Sequence, residues 1–257
     1  MTREYRRRLG GFLRVRKLLL VGLGIALGLA AAVAALHRRP PPAAPDHSSA
    51  PAPDCQAGPT TPGIDVSYYQ ETIDWHRVHR AGLRFAFIRV ADGAELRDPM
   101  FSLNWAEARS AGIARGAYQF FRPDQSAEAQ ADLLIAVLRA QGTGELPPAL
   151  DVEVDAGLGA PAVAAAARRW IDRVRAQLGV EPIIYTGSDL WRTGAAGPLA
   201  TQPLWLAHYT PRCPAVPLGW PRWTFWQHTD RGAVPGIEGP VDLDVFAGSL
   251  DELRALR

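Results

Sequence analysis

Acidic side chains are the residues of this chain best placed to do chemistry. They recur in three short apolar contexts: Asp65 in GIDVS, Asp151 and Glu153 in PPALDVEVD, and Asp242 and Asp244 in GPVDLDVF. Asp151 and Glu153 are two apart in a run that reads as a strand, so both side chains leave the same face. At a rise of ~3.3 Å per residue their Cα atoms lie roughly 6.6 Å apart. Carboxyls gathered in one pocket cannot all ionise freely. Mutual repulsion and partial burial raise one pKa toward neutrality while the others stay charged. A protonated acid beside a carboxylate is what cleavage of a glycosidic bond requires. Against this stands a plain alternative, since the chain has 26 acidic residues and most acids spaced by two are solvated. Position favours chemistry here: the DVE triplet closes an apolar strand, and further acids close the first and last strands.

The elements that must hold these acids follow from hydrophobic rhythm. Short apolar runs predict strands at Gly63–Val66, Arg84–Val90, Arg115–Phe121, Pro148–Glu153, Pro182–Thr186, Pro203–Ala207, Trp223–Gln227 and Val241–Phe246. Between the early ones, Ile73–Ala81, Pro99–Ala111, Ser126–Gln141 and Pro161–Leu178 carry apolar residues at a spacing near 3.6 and end at Gly82, Gly112, Gly142 and Gly179. Strand and helix alternating at this pace predict parallel βαβ units. Eight strands predict a barrel of the TIM type, with active residues at the strands' C-terminal ends. After the fifth strand the connections are rich in Gly and Pro, so the expectation is an incomplete barrel with about five helices and a helix-poor last third. An open doubly wound sheet is the alternative, weakened because no Gly-rich phosphate loop follows the first strand.

Charge divides the chain of 257 residues unevenly. Residues 1–39 hold nine basic side chains and one acid, leaving 19 bases and 25 acids for the rest, although the whole chain is formally +2. A folded body of net negative charge repels phosphate backbones, which excludes nucleic acid as a natural partner. Behind the basic leader, residues 1–17, the nineteen residues 18–36 are apolar and uncharged. They are expected to form a signal-anchor that crosses the inner membrane and leaves the following chain outside the cytoplasm. A cleaved signal peptide, with Ala32 and Ala34 serving a peptidase, is the competing reading, and the product would then be secreted. Residues 37–62 read as a linker. Eight prolines fall in residues 40–62, a composition that cannot bury enough apolar surface to fold and favours extended polyproline II. Cys55 in this segment and Cys213 in a late loop could pair in an oxidising compartment, or remain apart. Residues 63–257 are the expected catalytic domain.

The motifs GIDVSYYQETIDW, FAFIRVADG, GAYQFF, PPALDVE, PIIYT, PLWLAHY, FWQHTDRGAVPG and VDLDVF stand in the order found in glycoside hydrolase family 25, and over residues 63–250 the chain resembles that family. These are the Chalaropsis-type lysozymes, or N-acetylmuramidases. The resemblance implies a (β/α)5(β)3 barrel that cleaves the β-1,4 bond between N-acetylmuramic acid and N-acetylglucosamine in the peptidoglycan glycan strand. Carried over by position, it implies Glu153 as general acid, Asp151 as partner carboxylate, and Asp65 and Asp242 as further acids that hold substrate and tune the pair. Retaining, inverting and substrate-assisted routes stay open. Gln119, Tyr69, Asp92 and Asp244 stand where the family often carries His, Trp, Glu and Asn.

Aromatic residues supply candidate sugar contacts, because flat rings stack on sugar faces. Tyr118 and Tyr185 close strands, Trp205 and Trp226 lie near strand ends, and His208 follows a strand; all five are expected in the cleft, whereas Trp223 reads as core. His76 and His79 read as a solvated helix face rather than a metal pair. Ser67 has no histidine at readable spacing and is not expected to act as a nucleophile. No cofactor or metal is expected, and the enzyme is expected to act as a monomer. A barrel that binds glycan without cutting it, or a related glucosaminidase or chitinase, is the functional alternative.

Overall fold

A computed structural model of the chain describes residues 55, 58–191 and 196–256. The expected leader, membrane-spanning segment at 18–36 and most of the linker lie outside the described residues. Among the described residues, no helix is long and apolar enough to cross a membrane.

Eight strands close on themselves: β1 (Thr61–Val66), β2 (Phe85–Asp92), β4 (Ala114–Phe120), β5 (Ala149–Asp151), β6 (Ile183–Gly187), β7 (Leu204–Ala207), β8 (Phe225–Gly232) and β9 (Val241–Phe246). A two-residue strand, β3 (Leu96–Arg97), folds back antiparallel on the end of β2. The ring is complete because β1 pairs with β2 on one side and β9 on the other. It is a closed barrel rather than an incomplete one. From β1 round to β8 the strands run parallel, but β9 is antiparallel to both β8 and β1. A short hairpin from β8 leaves no length for a crossover, so the chain can only return in the opposite direction.

Helices α1 (Trp75–Arg80), α2 (Phe101–Ser110), α3 (Ala127–Gln141) and α4 (Ala160–Leu178) fill the first four crossovers, and a short α5 (Leu250–Arg254) follows the barrel. Their starts are the ones the local sequence encodes. The Asp74 side chain accepts from the Arg77 amide at 2.9 Å, Ser126 accepts from Ala129, and Ser249 forms a reciprocal box with Glu252. Gly179, in the left-handed region at φ 69°, ends α4. After β6 the described residues form only a 3-10 turn at Asp189–Trp191 and further turns, where a fifth helix was expected. Gly197–Pro198 in this stretch opposes a continuous helix.

Alternation along the strands divides the core in two. Outward residues such as Ile64, Ile88, Leu150, Ile184 and Leu206 pack in one cluster with helix residues Trp105, Leu134 and Trp170. Inward residues Phe85, Phe87, Tyr118, Ile183, Tyr185, Trp205, Phe225 and Phe246 fill the barrel itself. Phe87 stacks on Trp205 with ring centroids 4.3 Å apart and meets Phe225 edge-on at 5.1 Å. Room for this aromatic plug comes from glycine. A Cβ at Gly63 would enter the Phe85 ring, and one at Gly116 would enter the Phe87 ring.

The expected linker ends earlier than residue 62, since Thr61 and Pro62 are already paired with Phe246 and Val245 in β1. Cys55 and Cys213 form a disulfide, with Cα atoms 5.2 Å apart across 158 residues of sequence. The strand β3 escaped the sequence reading because its two residues are both exposed and carry no apolar alternation.

Overpacking an aromatic plug of this kind costs ~1–3 kcal/mol. Gly116→Ala is therefore expected to lower the Tm of the protein by about 2–12 °C, at ~2–4 °C per kcal/mol for a domain of this size. Differential scanning calorimetry of the two proteins checks it, and an unchanged Tm would mean that the plug yields without cost.

Candidate active site

Because alternate residues of each strand face the barrel axis, one residue per strand emerges at the mouth formed by the parallel strands' C-terminal ends. Asp65 crowns β1, Arg89 rises on β2, Tyr118 on β4, Asp151 on β5, Tyr185 on β6, and Gln227 on β8. Reversal of β9 completes the set. In a parallel strand Asp242 would have started at the far end of the barrel; in this antiparallel one it lies directly opposite Asp65, and Asp244 lies opposite Gln227. Glu153 sits two residues beyond the end of β5, in the loop rather than on the strand. Asp65, Asp151, Glu153 and Asp242 thus line one cleft of about 380 Å³ together with Tyr118, Tyr185 and Trp205.

Burial grades these acids. Asp65 and Asp151 are each 6% exposed and Asp244 only 1%, whereas Asp242 is half-buried and Glu153 keeps a solvent-facing edge. Desolvation pushes Asp65 well above the usual carboxylate range, and the neighbouring Asp244 adds to the effect. Asp151 is raised likewise, by burial first and then by Glu153 and Asp65, with the Arg89 guanidinium opposing. Arg89 offers limited relief, because it is already paired with Asp98 at 3.1 Å and lies over the Tyr68 ring at 4.8 Å. Asp242 is pushed up to about 9 by burial, with Asp65, Asp230 and Glu153 contributing. Asp244 is raised by burial despite accepting a 2.7 Å hydrogen bond from the Trp205 indole. Glu153 is raised by desolvation, with the nearby Tyr185 hydroxyl acting in the opposite direction. Neighbouring carboxyls of this kind titrate as a group, sharing protons near neutral pH.

A proton-sharing group of acids at a barrel mouth is chemistry suited to glycosidic bonds, and comparison with known proteins gives the family. Residues 64–237 match the profile of glycosyl hydrolases family 25. The chain belongs to this family. It is a glycoside hydrolase. Lysozyme M1 of Streptomyces globisporus is 38% identical over 214 residues, spanning 76% of this chain and 70% of that protein. The N,O-diacetylmuramidase of Chalaropsis sp is 33% identical over 213 residues, spanning 77% of this chain and 99% of that protein. The crystal structure of the lysozyme from Streptomyces coelicolor superposes with a TM-score of 0.70 at 36% identity, covering 78% of this chain and 97% of that one.

Two expected cleft residues of this family 25 chain lie elsewhere. Trp226 is fully buried on the outward face of β8, beside Trp223, and its indole donates to the His208 carbonyl at 2.8 Å. His208 lies beyond the end of β7, and its Nδ1 accepts from the Ala215 amide within the following loop. Strand parity explains the first: Gln227, one residue on, faces inward, so Trp226 must face the helices. Trp205 does line the cleft, but as a buried floor 1% exposed. Gln119 likewise points outward, bonded to Trp170 and the Gly93 carbonyl, so the departure at that position does not alter the cleft. Ser67 caps a 3-10 turn through the Tyr69 amide.

Gln227, Arg89 and Tyr209 were missed. Gln227 Nε2 donates to Asp65 Oδ2 at 2.6 Å, and its Oε1 accepts from the hydroxyls of Tyr185 and Tyr209, each at 2.8 Å. A polar residue ending an apolar strand was the available signal for Gln227. Tyr209, in a Pro-rich loop, carried none.

Crowded acids cost stability as pH rises. Below about 4 Asp242 is protonated folded or unfolded; above that the unfolded chain ionises while the folded one holds its proton toward pH 9, so stability falls across that interval. Asp242→Asn is expected to raise the Tm by about 2–6 °C at pH 8 and by much less at pH 4, a shift matching ~1–2 kcal/mol. Thermal melts of both proteins at the two pH values test this; an equal or opposite shift at pH 8 would contradict it.

Proposed function

We propose that this chain is a lysozyme-type hydrolase that cuts the β-1,4 bond between N-acetylmuramic acid and N-acetylglucosamine of peptidoglycan, with Glu153 as general acid. The observation that carries the reading is the position of Glu153: it is the solvent-open member of an otherwise buried group of acids. It also stands where the main cleft meets a second hollow of about 270 Å³, and Glu153, Tyr185 and Tyr209 line both. A glycan strand running through the two hollows places one sugar on either side, with the linking oxygen within reach of the acid.

Protonated Glu153 gives its hydrogen to the leaving glycosidic oxygen as the bond lengthens, and whatever negative charge the proton-sharing group of acids carries stabilises the positive charge that develops on the sugar ring. Asp151 is the partner carboxylate. Its buried Oδ1 has no hydrogen-bond partner among the described residues, which leaves it free to accept from a substrate N–H or an attacking water. Asp65 and Asp242 hold charge and protons around the pair. The named relatives, a lysozyme and an N,O-diacetylmuramidase, support the same class of bond.

The apolar segment 18–36 and the Pro-rich segment behind it would hold this catalytic domain outside the inner membrane, as an anchor or after cleavage as a secreted enzyme. The Cys55–Cys213 disulfide supports that side of the membrane, since such bonds persist in oxidising compartments.

Release of reducing ends from purified peptidoglycan is expected to fall by about 10²–10⁴-fold in Glu153→Gln, the usual contribution of a general acid. Because the Glu153 carboxyl is raised, the active protonated form persists above the range of an ordinary glutamate, and activity declines as pH climbs through the raised value. Mass spectrometry of the fragments is expected to show N-acetylmuramic acid at the new reducing ends. N-acetylglucosamine there would indicate a glucosaminidase, and wall binding without release would indicate a binding barrel.

A further inference from the structure

The hydroxyl of Tyr185 has two acceptors and one proton. It donates to Gln227 Oε1 at 2.8 Å, and it lines both hollows together with the Glu153 carboxyl, whose ionised form it favours. Gln227 has no freedom to refuse it. The amide is 2% exposed and its Nε2 is committed to Asp65 Oδ2 at 2.6 Å, which turns Oε1 toward the tyrosines. Tyr209 donates to the same oxygen at 2.8 Å, so Oε1 stays satisfied if Tyr185 turns away. Asp65 in turn feels the charge of neighbouring buried Asp244, which the Trp205 indole anchors at 2.7 Å. One chain of contacts therefore runs from the barrel floor to the residue at the cleft mouth.

We propose that Gln227 is a positioning residue that parks the Tyr185 hydroxyl away from Glu153 until the reaction needs it. This inference rests on the reading of Glu153 as general acid. While Glu153 is protonated, the Tyr185 proton stays on Gln227 and does not favour early ionisation of the acid. As the Glu153 proton passes to the leaving oxygen, a carboxylate forms, and the Tyr185 hydroxyl swings to donate to it. Tyr209 keeps Gln227 Oε1 occupied meanwhile. A donor gained only as charge develops stabilises the transition state more than the ground state, which is the condition for raising kcat. Only the Glu153 proton changes owner in this step; Tyr185 keeps its own.

Other titratable groups share the cleft with Glu153. Asp151 lies on the same β-loop unit, Asp65 and Asp242 approach from β1 and β9, and Tyr209 from the β7–β8 loop. Across the cleft Arg89 of β2 acts on Asp151.

The test is the pH profile of kcat/KM for reducing-end release from purified peptidoglycan by the full-length protein. In Gln227→Leu the Tyr185 hydroxyl has Glu153 as its remaining acceptor in the ground state. The alkaline limb is then expected to move down by about one pH unit and kcat to fall about tenfold, with KM changed less than threefold. In Tyr185→Phe, which leaves Gln227 in place, the limb is expected to move up and kcat to fall. In the double variant the limb is expected to sit where Tyr185→Phe alone puts it. A Gln227→Leu protein that melts like wild type but keeps an unshifted limb would overturn the proposal, as would a limb shift of the same size in the Tyr185→Phe background. If Gln227→Leu does not fold, an unshifted limb in Tyr185→Phe overturns it by itself. Wild-type protein that releases no reducing ends, or Glu153→Gln that releases as many, overturns the general-acid reading and this inference together. Normal loss in Glu153→Gln with unmoved limbs overturns the parking role alone.

Discussion

Five carboxyl groups share the mouth of one barrel, and much of the site's organisation follows from the need to keep them from ionising together. Asp65, Asp151 and Asp244 are withdrawn from solvent, Asp242 is half-buried, and of the five Glu153 alone is exposed. Burial favours the protonated form of each, and each charge that does form raises its neighbours. The cluster therefore retains protons at a pH where free carboxylic acids have lost theirs. Polar partners are placed to distribute those protons: Trp205 donates to Asp244, Gln227 donates to Asp65, and two tyrosine hydroxyls meet on the far side of Gln227.

Such a cluster is a liability to folding that the surrounding barrel must outweigh. The aromatic plug of Phe85, Phe87, Trp205 and Phe225 lies directly beneath it, and helices Ala127–Gln141 and Ala160–Leu178 cover the outer face of the sheet. Trp205 belongs to both layers. Its ring stacks on Phe87 within the plug, while its indole N–H reaches the buried acid above. Apolar packing thus holds in place a polar group that the chemistry uses, which is how a well-packed scaffold supports a strained, charged site.

Direction of the last strand has an outsized consequence. Val241–Phe246 reverses after a hairpin, so Asp242 and Asp244 reach the same end of the barrel as Asp65 and Asp151 even though they open their strand rather than close it. Connections in the final third also lack long helices among the described residues. They are also what frees the segment after Leu204–Ala207 to carry Tyr209 to the cleft wall and Cys213 to its disulfide partner.

Local physics made much of this legible beforehand. Hydrophobic spacing and terminal glycines mark four helices to within a few residues, and apolar runs mark all eight barrel strands, because both signals depend on neighbours close in sequence. Asp151 and Glu153 announce themselves by their position after an apolar strand, and Asp65 and Asp242 by closing or opening others. What the chain's order alone could not determine was which face each strand turns inward and which way the last one runs. Trp226 was misplaced for the first reason, since a single step along β8 exchanges Trp226 for Gln227 at the mouth; His208 lies past the end of its strand, where the loop amide of Ala215 holds it. Ring closure, the antiparallel β9 and the meeting of Tyr185, Tyr209 and Asp65 on one amide depend on residues tens to more than a hundred positions apart. Contacts at that separation are selected by packing the whole barrel, so only the tertiary structure decides them.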